Sequence, residues 1–266
     1  MRTQTYGLIA GIEQDHWWYQ ARSEIIETIV KGFLVTRVAR LINVGCGPGT
    51  TIHIWRRFAQ TVIGLDIAEE ALRYARSRGT DQVFRDDAQT LSTIASESTD
   101  MVVSCDVLEH LHNDHAAIAA AYRVLRKGGL LFITVPAKMY LWGGADIMSQ
   151  HYRRYEKEDI AAMLIKNNFH ILRITYFNTF LFIPILAARK VAVLFSIRPE
   201  REYTLPSRWL NAILYTVFRA EKYFLPYLNF PIGVSLAVVA QKQKERTSRD
   251  VCSLNAAGYR TDRVCP

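Results

Sequence analysis

Three glycines at alternate positions, Gly45, Gly47 and Gly49 in the stretch NVGCGPGTT, directly follow the apolar run Leu41-Ile42 and Val44. Such a loop leaves backbone room for a ligand against a strand end, and the helix that follows offers free amides. What the loop holds depends on its neighbours. A phosphate loop for a nucleoside triphosphate carries Lys and Ser/Thr after its last glycine, but here Gly49 is followed by Thr50-Thr51-Ile52. A dinucleotide loop reads G-x-G-x-x-G, and the place of its third glycine is taken by Thr50. Asp66, 17 residues beyond Gly49, ends the next apolar run, where an acid can accept both hydroxyls of a ribose. Asp87-Ala88 could receive an adenine amino group. Asp106 closes a further apolar run, at the rim where open α/β sheets bind ligands.

These residues need a sheet to hold them. Apolar spacing predicts a helix from Trp17 to about Leu34, then strands at Leu41–Val44, Val62–Asp66, Val83–Arg85, Met101–Cys105 and Leu130–Val135. Helices are expected between them at Thr50–Phe58, Glu69–Arg78 and Ala116–Leu125, and a further helix and strand at Lys157–Lys166 and Ile171–Tyr176. Continuous apolar strands separated by helices imply an α/β fold with a doubly wound parallel sheet covered on both faces. From Phe177 to Pro231 the chain is apolar and aromatic, with helical patterns over Phe180–Phe195 and Ser207–Phe224, and Ser235–Gln241 reads as a last strand.

In order, VGCGPG, GLDIAEEAL, RDDAQTL, DMVVSCDVLEHLHN and RVLRKGGLLFITVP resemble the successive motifs of class I S-adenosylmethionine-dependent methyltransferases, over roughly residues 40–136. CDVLEHL resembles their small-molecule branch, which includes ubiquinone-type O-methyltransferases. The resemblance implies a seven-stranded sheet of order 3-2-1-4-5-7-6 with the last strand antiparallel, preceded by an N-terminal helix and carrying the apolar helical insertion before that strand. It also implies S-adenosylmethionine as cofactor. Gly45, Gly47 and Gly49, with Cys46 between them, would line its methionine portion, and Asp66 would bind the ribose with Ile67 packed on adenine. Asp87 and Ala88 would hold the adenine edge, although RDDA leaves the choice between Asp86 and Asp87 open. Asp106 and Val107 would lie near the amino group and sulfonium. In relatives with an opening like DHWWYQARSEII, aromatic residues such as Trp18 close over the cofactor and an Arg such as Arg22 pairs with its carboxylate.

Methyl transfer to a hydroxyl needs alignment and removal of a proton. His110, beside Glu109 just past the fourth strand, is one candidate base. His151 is another, in HYRRY of DIMSQHYRRY, which resembles an H-x-R-R-Y element of a bacterial subgroup. Tyr152, Arg153, Arg154 and Tyr155 of the same element, together with Glu109, are expected to contact substrate, against the alternative that Arg and Tyr merely pin the loop. No [DN]PP[YFW] follows the fourth strand, which argues against base amines and nucleic acid. No Cys/His spacing suggests a metal site.

The four cysteines do not form a disulfide framework, although Cys252 and Cys265 could pair. Met1 to Asp15 lacks a signal-peptide core, and neither Tyr223–Ala240 nor Ile174–Ala188 reads as a membrane span. A cytoplasmic location is expected. The net charge is +8, and residues 189–266 hold 13 basic against 6 acidic groups. Basic residues interleaved with apolar ones allow peripheral contact with an anionic membrane, against the plainer alternatives of a substrate cover or dimer contact. The expected organisation is a helical lid (1–36), a cofactor-binding core (37–176), an apolar insertion (177–234), the last strand (235–241) and a disordered basic tail (242–266). The expected function is methylation of a small or lipophilic acceptor at oxygen. Alternatives are an N- or C-methyltransferase of a natural-product or lipid intermediate and a non-catalytic S-adenosylmethionine-binding partner protein.

Overall fold

The computed structural model describes Gly7, residues 11–195 and residues 204–243. Helix α1 (Trp17–Lys31) buries Ala21, Ile25, Ile26 and Ile29 on one stripe. His16 caps it by accepting a hydrogen bond from the Trp18 N–H at 3.2 Å, which requires a neutral ring, and burial pushes that imidazole down to about 4. Then follow β1 (Val38–Val44), α2 (Ile52–Trp55), β2 (Ala59–Asp66), α3 (Glu69–Ser77), β3 (Val83–Arg85), β4 (Thr99–Cys105), α4 (Asp114–Val124), β5 (Leu125–Pro136), α5 (Gly144–Ser149), α6 (Lys157–Lys166) and β6 (Phe169–Phe177). The last three elements are α7 (Phe182–Leu194), α8 (Arg208–Ala220) and β7 (Ser235–Lys242).

The strands form one seven-stranded sheet of order β3-β2-β1-β4-β5-β7-β6. Neighbours pair in parallel except that β7 runs antiparallel to both β5 and β6. Strand order reverses between β1 and β4, which opens the crevice at their carboxyl ends where such sheets take ligands. Successive side chains alternate between two cores. Leu41, Met101, Val103 and Phe132 enter the one under α1 and α8, while Ile42, Val102, Leu131 and Ile133 enter the one under α4 and α6. Both faces are therefore dry, and this is why the strands read as unbroken apolar runs.

Two elements differ from expectation. The helix expected over Thr50–Phe58 shortens to Ile52–Trp55, since the chain then closes on tighter turns, with Arg57 N–H donating to Ile54 C=O and Phe58 N–H to Trp55 C=O, before β2 starts at Ala59. The loop after β5 contains the unexpected helix α5, whose start is held by the Asp146 carboxylate accepting the Gly143 N–H at 2.8 Å.

The N-terminal helix and the insertion pack against each other. Phe218 of α8 is fully buried, edge-on to Trp17 at 5.9 Å and stacked on Phe177 at 6.3 Å. Glu24 of α1 accepts from Arg219 at 2.7 Å and Lys222 at 2.6 Å, and Asn211 accepts the Trp17 N–H at 3.0 Å. By contrast, α7 buries only Phe182 of its thirteen residues. From residue 244 on, the tail expected to be disordered lies outside the described residues, as do Cys252 and Cys265. No helix of the described residues is long and apolar enough to cross a membrane.

Candidate active site

The glycine loop bends because β1 must turn within seven residues into α2. Gly45 and Gly47 both sit at positive φ, +64° and +56°, a region that costs an L side chain about 1 kcal/mol or more. A Cβ on Gly45 would lie 2.3 Å from a Val107 methyl, whereas one on Gly47 would meet nothing within 4 Å. Val107 therefore packs on the loop from behind, and Gly47 faces open space. Gly49 serves a different purpose, since its Cβ would stand 3.0 Å from that of Ala75 in α3. Asp66 ties the loop to β2, accepting the Gly47 N–H at 2.9 Å and the Ala68 N–H at 2.9 Å. Burial raises its pKa above the usual carboxylate value, against those hydrogen bonds.

Of the two acids after β3, Asp86 is consumed internally, accepting from Ser92 and Thr93 backbone and side chain. Asp87 is bonded within its own turn to Gln89. Ala88 packs below β1 and Ile67 is exposed. Asp106, at φ +56°, forms an ion pair with the buried Arg22 at 2.5 Å. Arg22 also donates to Thr134 at 3.2 Å and lies under the Trp18 ring at 5.1 Å, yet its buried Nε has no partner. The N-terminal helix thus delivers an arginine to the crevice between β1 and β4.

Beside that pair, a cavity of about 520 Å³ extends from the glycine loop to α7. Trp18, Arg22, Gly45, Cys46, Gly47 and Asp106 line one end, and Glu109, His110, His151 and Arg154 line the middle. Gly49, Asp66, Ile67, Asp87, Ala88, Val107, Tyr152, Arg153 and Tyr155 are not on its wall. Glu109 is fully buried with both carboxylate oxygens unpartnered. Burial, and then the charge of Asp106, pushes its pKa well above the ordinary carboxylate value. His110 Nδ1 is likewise buried without a partner, and burial followed by His151 lowers its ring to about 3. The two imidazoles meet edge to face at 4.6 Å.

His151 is oriented from behind. Its Nδ1 lies 2.8 Å from Asp146 Oδ1, which leaves Nε2 facing Glu109 at 3.9 Å. Asp146 is held in turn by a two-pronged bond from Arg154, both contacts at 2.9 Å. Burial opposes the charge of Asp146, but the His151 hydrogen bond and the Arg154 guanidinium outweigh it and hold the group at about 2. Arg154 is therefore engaged by Asp146 as well as lining the cavity. Arg153 pairs with Asp114 at 3.0 Å, and the buried Tyr155 hydroxyl donates to the same carboxylate at 2.8 Å. Tyr152 is exposed against His112.

The sequence assigned no role to Asp146, and the insertion expected to cover the substrate supplies Asn178, Ile185 and Arg189 to the far wall. Nor did linear spacing show that ligand atoms of Glu109, His110 and His151 lie within 4.8 Å of one another, a spacing that suits a shared proton or a cation.

A family model described as a methyltransferase domain matches residues 42–133, the stretch carrying the loop, Asp66, Asp106, Glu109 and His110. A probable S-adenosylmethionine-dependent methyltransferase of Mycolicibacterium smegmatis is 24% identical over 61% of this chain and 63% of its own length. A ubiquinone biosynthesis O-methyltransferase of Hahella chejuensis is 31% identical over 45% of this chain and 56% of its own. An S-adenosylmethionine-dependent methyltransferase structure from Mesorhizobium loti superposes with a TM-score of 0.54 at 16% identity, covering 86% of this chain and 99% of that one. Residues 42–133 thus match a methyltransferase domain, and the sheet has the fold of class I S-adenosylmethionine-dependent methyltransferases. The chain spans less than two thirds of the length of these curated relatives. The methyltransferase fold alone does not fix the reaction, for the [4+2]-cyclase SpnF shares it with a TM-score of 0.55 at 21% identity over 85% of this chain and 83% of its own.

The residues present fit the family's cofactor. Gly47 leaves an open cradle, Asp66 stands beside it, and the unpartnered Arg22 Nε supplies a cationic donor for a carboxylate.

Proposed function

We propose that this chain methylates a small, lipophilic acceptor at oxygen, with His151 as the general base. The observation that carries this reading is the Asp146–His151 dyad, whose free Nε2 is presented to the cavity next to a buried, unpartnered Glu109. S-adenosylmethionine, when bound, supplies a methyl group on a sulfonium that needs no further activation. The protein's part is then to hold the acceptor and move its proton. Asp146 fixes the His151 tautomer with Nδ1–H directed at the carboxylate, so that Nε2 accepts the proton from a hydroxyl. His110, whose ring burial has made a weak base, serves better as packing beside His151. The apolar wall from Ile185 to Ala192 favours a lipophilic acceptor, and the distant likeness to ubiquinone O-methyltransferases supports oxygen as the target.

Most of the large apolar side chains left exposed among the described residues fall between 180 and 232. Ile183, Val193, Leu194 and Trp209 are the most prominent on α7 and α8, next to the exposed Lys190 and Arg208. This face suits peripheral contact with an anionic bilayer from which such an acceptor would come.

His151→Gln should lower methyl transfer to a panel of lipophilic phenols by roughly 10²–10⁴-fold, with S-adenosylhomocysteine affinity unchanged. Full turnover in that variant would remove His151 from the mechanism. For the surface, flotation with liposomes should rise with anionic lipid and fall in Trp209→Ser/Ile183→Ser; equal flotation of the double variant would remove the membrane contact.

A further inference from the structure

At the far end of the same cavity stands a polar group that the chemistry above does not use. Asn178 follows β6, lines the cavity, and is fully buried with neither its amide nitrogen nor its amide oxygen hydrogen-bonded. Its backbone sits at φ +56°, in the left-handed region. The main chain around it is firmly fixed. Its N–H donates to the buried Glu221 carboxylate at 2.8 Å, and its C=O accepts the Val234 N–H at 3.3 Å. Gly233 makes that closure feasible, since a Cβ there would lie 2.4 Å from the Phe177 carbonyl. The fold therefore carries a left-handed non-glycine residue and a buried unpaired amide at one position, two costs that packing alone does not explain.

We propose that Asn178 is a specificity-determining residue, whose amide pairs with a second polar group of the acceptor on the opposite side of the cavity from the methylated atom. This deepens the oxygen-methyltransferase reading and rests on it. An amide offers a donor and an acceptor together, so its match is a hydroxyl, carboxyl or primary amide. Strands β5 and β7 separate β6 from β4; at about 4.8 Å per strand the two ends lie roughly 14 Å apart. Between them Ile185, Ala188 and Val234 give the wall an apolar stretch, and the charge beside it, Arg189, is paired with Asp146 at 3.5 Å. The acceptor class is thus an elongated molecule with a methylatable hydroxyl at one end, an apolar spacer, and a second hydrogen-bonding group at the other.

Two para-alkylphenols of equal length test this, one ending in a primary amide and one in a methyl group, each long enough to span the cavity. The wild-type protein should favour the amide-ended phenol in kcat/KM by about tenfold or more, and Asn178→Leu should reverse the preference. The same ratio in both proteins would overturn the proposal. If the wild type methylates neither phenol while S-adenosylhomocysteine still binds, the oxygen-acceptor reading fails, and thermal stability decides Asn178 separately. Asn178→Gly removes the amide and accepts the positive φ, so an unpaired amide predicts a rise in Tm of about 2 °C. A fall would show the amide bonded inside the protein and refute its role in recognition.

Discussion

The two ends of the cavity are built differently. At the cofactor end, Asp66 is bonded to the loop it supports, Gly45 and Gly49 meet specific neighbours, and Asp106 is paired with Arg22, whose Nε alone lacks a partner. At the acceptor end, Glu109, His110 and Asn178 carry buried polar atoms without partners, and α7 above them buries a single residue. Mostly paired groups around one open cradle suit a ligand that never changes. Unpaired groups under a loosely held helix suit one that must enter, be recognised and leave. On the proposed function, acceptor choice would be set at the second of these ends.

The contrast should show first in stability. Phe218→Ala opens a cavity where α8 meets α1 and Phe177, and should cost about 3–5 kcal/mol in denaturant unfolding. Trp209→Ser on the exposed side of the same helix should stay within about 0.5 kcal/mol. Comparable losses would show that the outer face of α8 is packed after all. Next come the glycines. Gly45→Ala drives a methyl into Val107 and should cost about 2–3 kcal/mol of stability. Gly47→Ala should cost only about 1 kcal/mol but lose cofactor affinity, because its Cβ points into open space. Stability and binding that fall in parallel for both variants would erase that distinction. Asp66→Ala should weaken S-adenosylhomocysteine binding by about 1.5–3 kcal/mol, and unchanged affinity would remove its ribose role.

The smallest effect is one of pH. Burial raises Glu221 from 4.5 to about 7 despite the three backbone N–H groups it accepts. The folded state therefore holds a proton that the unfolded chain has released. Its contribution to stability is complete below pH 4.5 and is lost as pH rises toward 7. Glu221→Gln should flatten that slope in urea titrations across the window. An unaltered slope would place the proton elsewhere.

Much of this was legible in the chain. The alternation of strands and helices was legible because parallel strands buried on both faces leave unbroken apolar runs, whereas the strand order came only from the resemblance of five successive motifs. The acceptor end was only half legible. HYRRY stood out as chemically dense, but its division of labour depends on which carboxylates the fold brings near. Asp114 takes Arg153 and Tyr155, while Asp146 takes Arg154 and His151. Asp114 lies some forty residues before the two side chains it takes, so this partition left no periodic signal. Asn178 left none either, since an asparagine after a strand reads as an ordinary turn residue, and only burial without a partner marks it.

Calorimetric titration of the purified protein with S-adenosylhomocysteine, with NADH as the control, tests the cofactor site most directly. The structure predicts saturable binding of S-adenosylhomocysteine and none of NADH. Binding of NADH alone, or of neither ligand to folded protein, would contradict it.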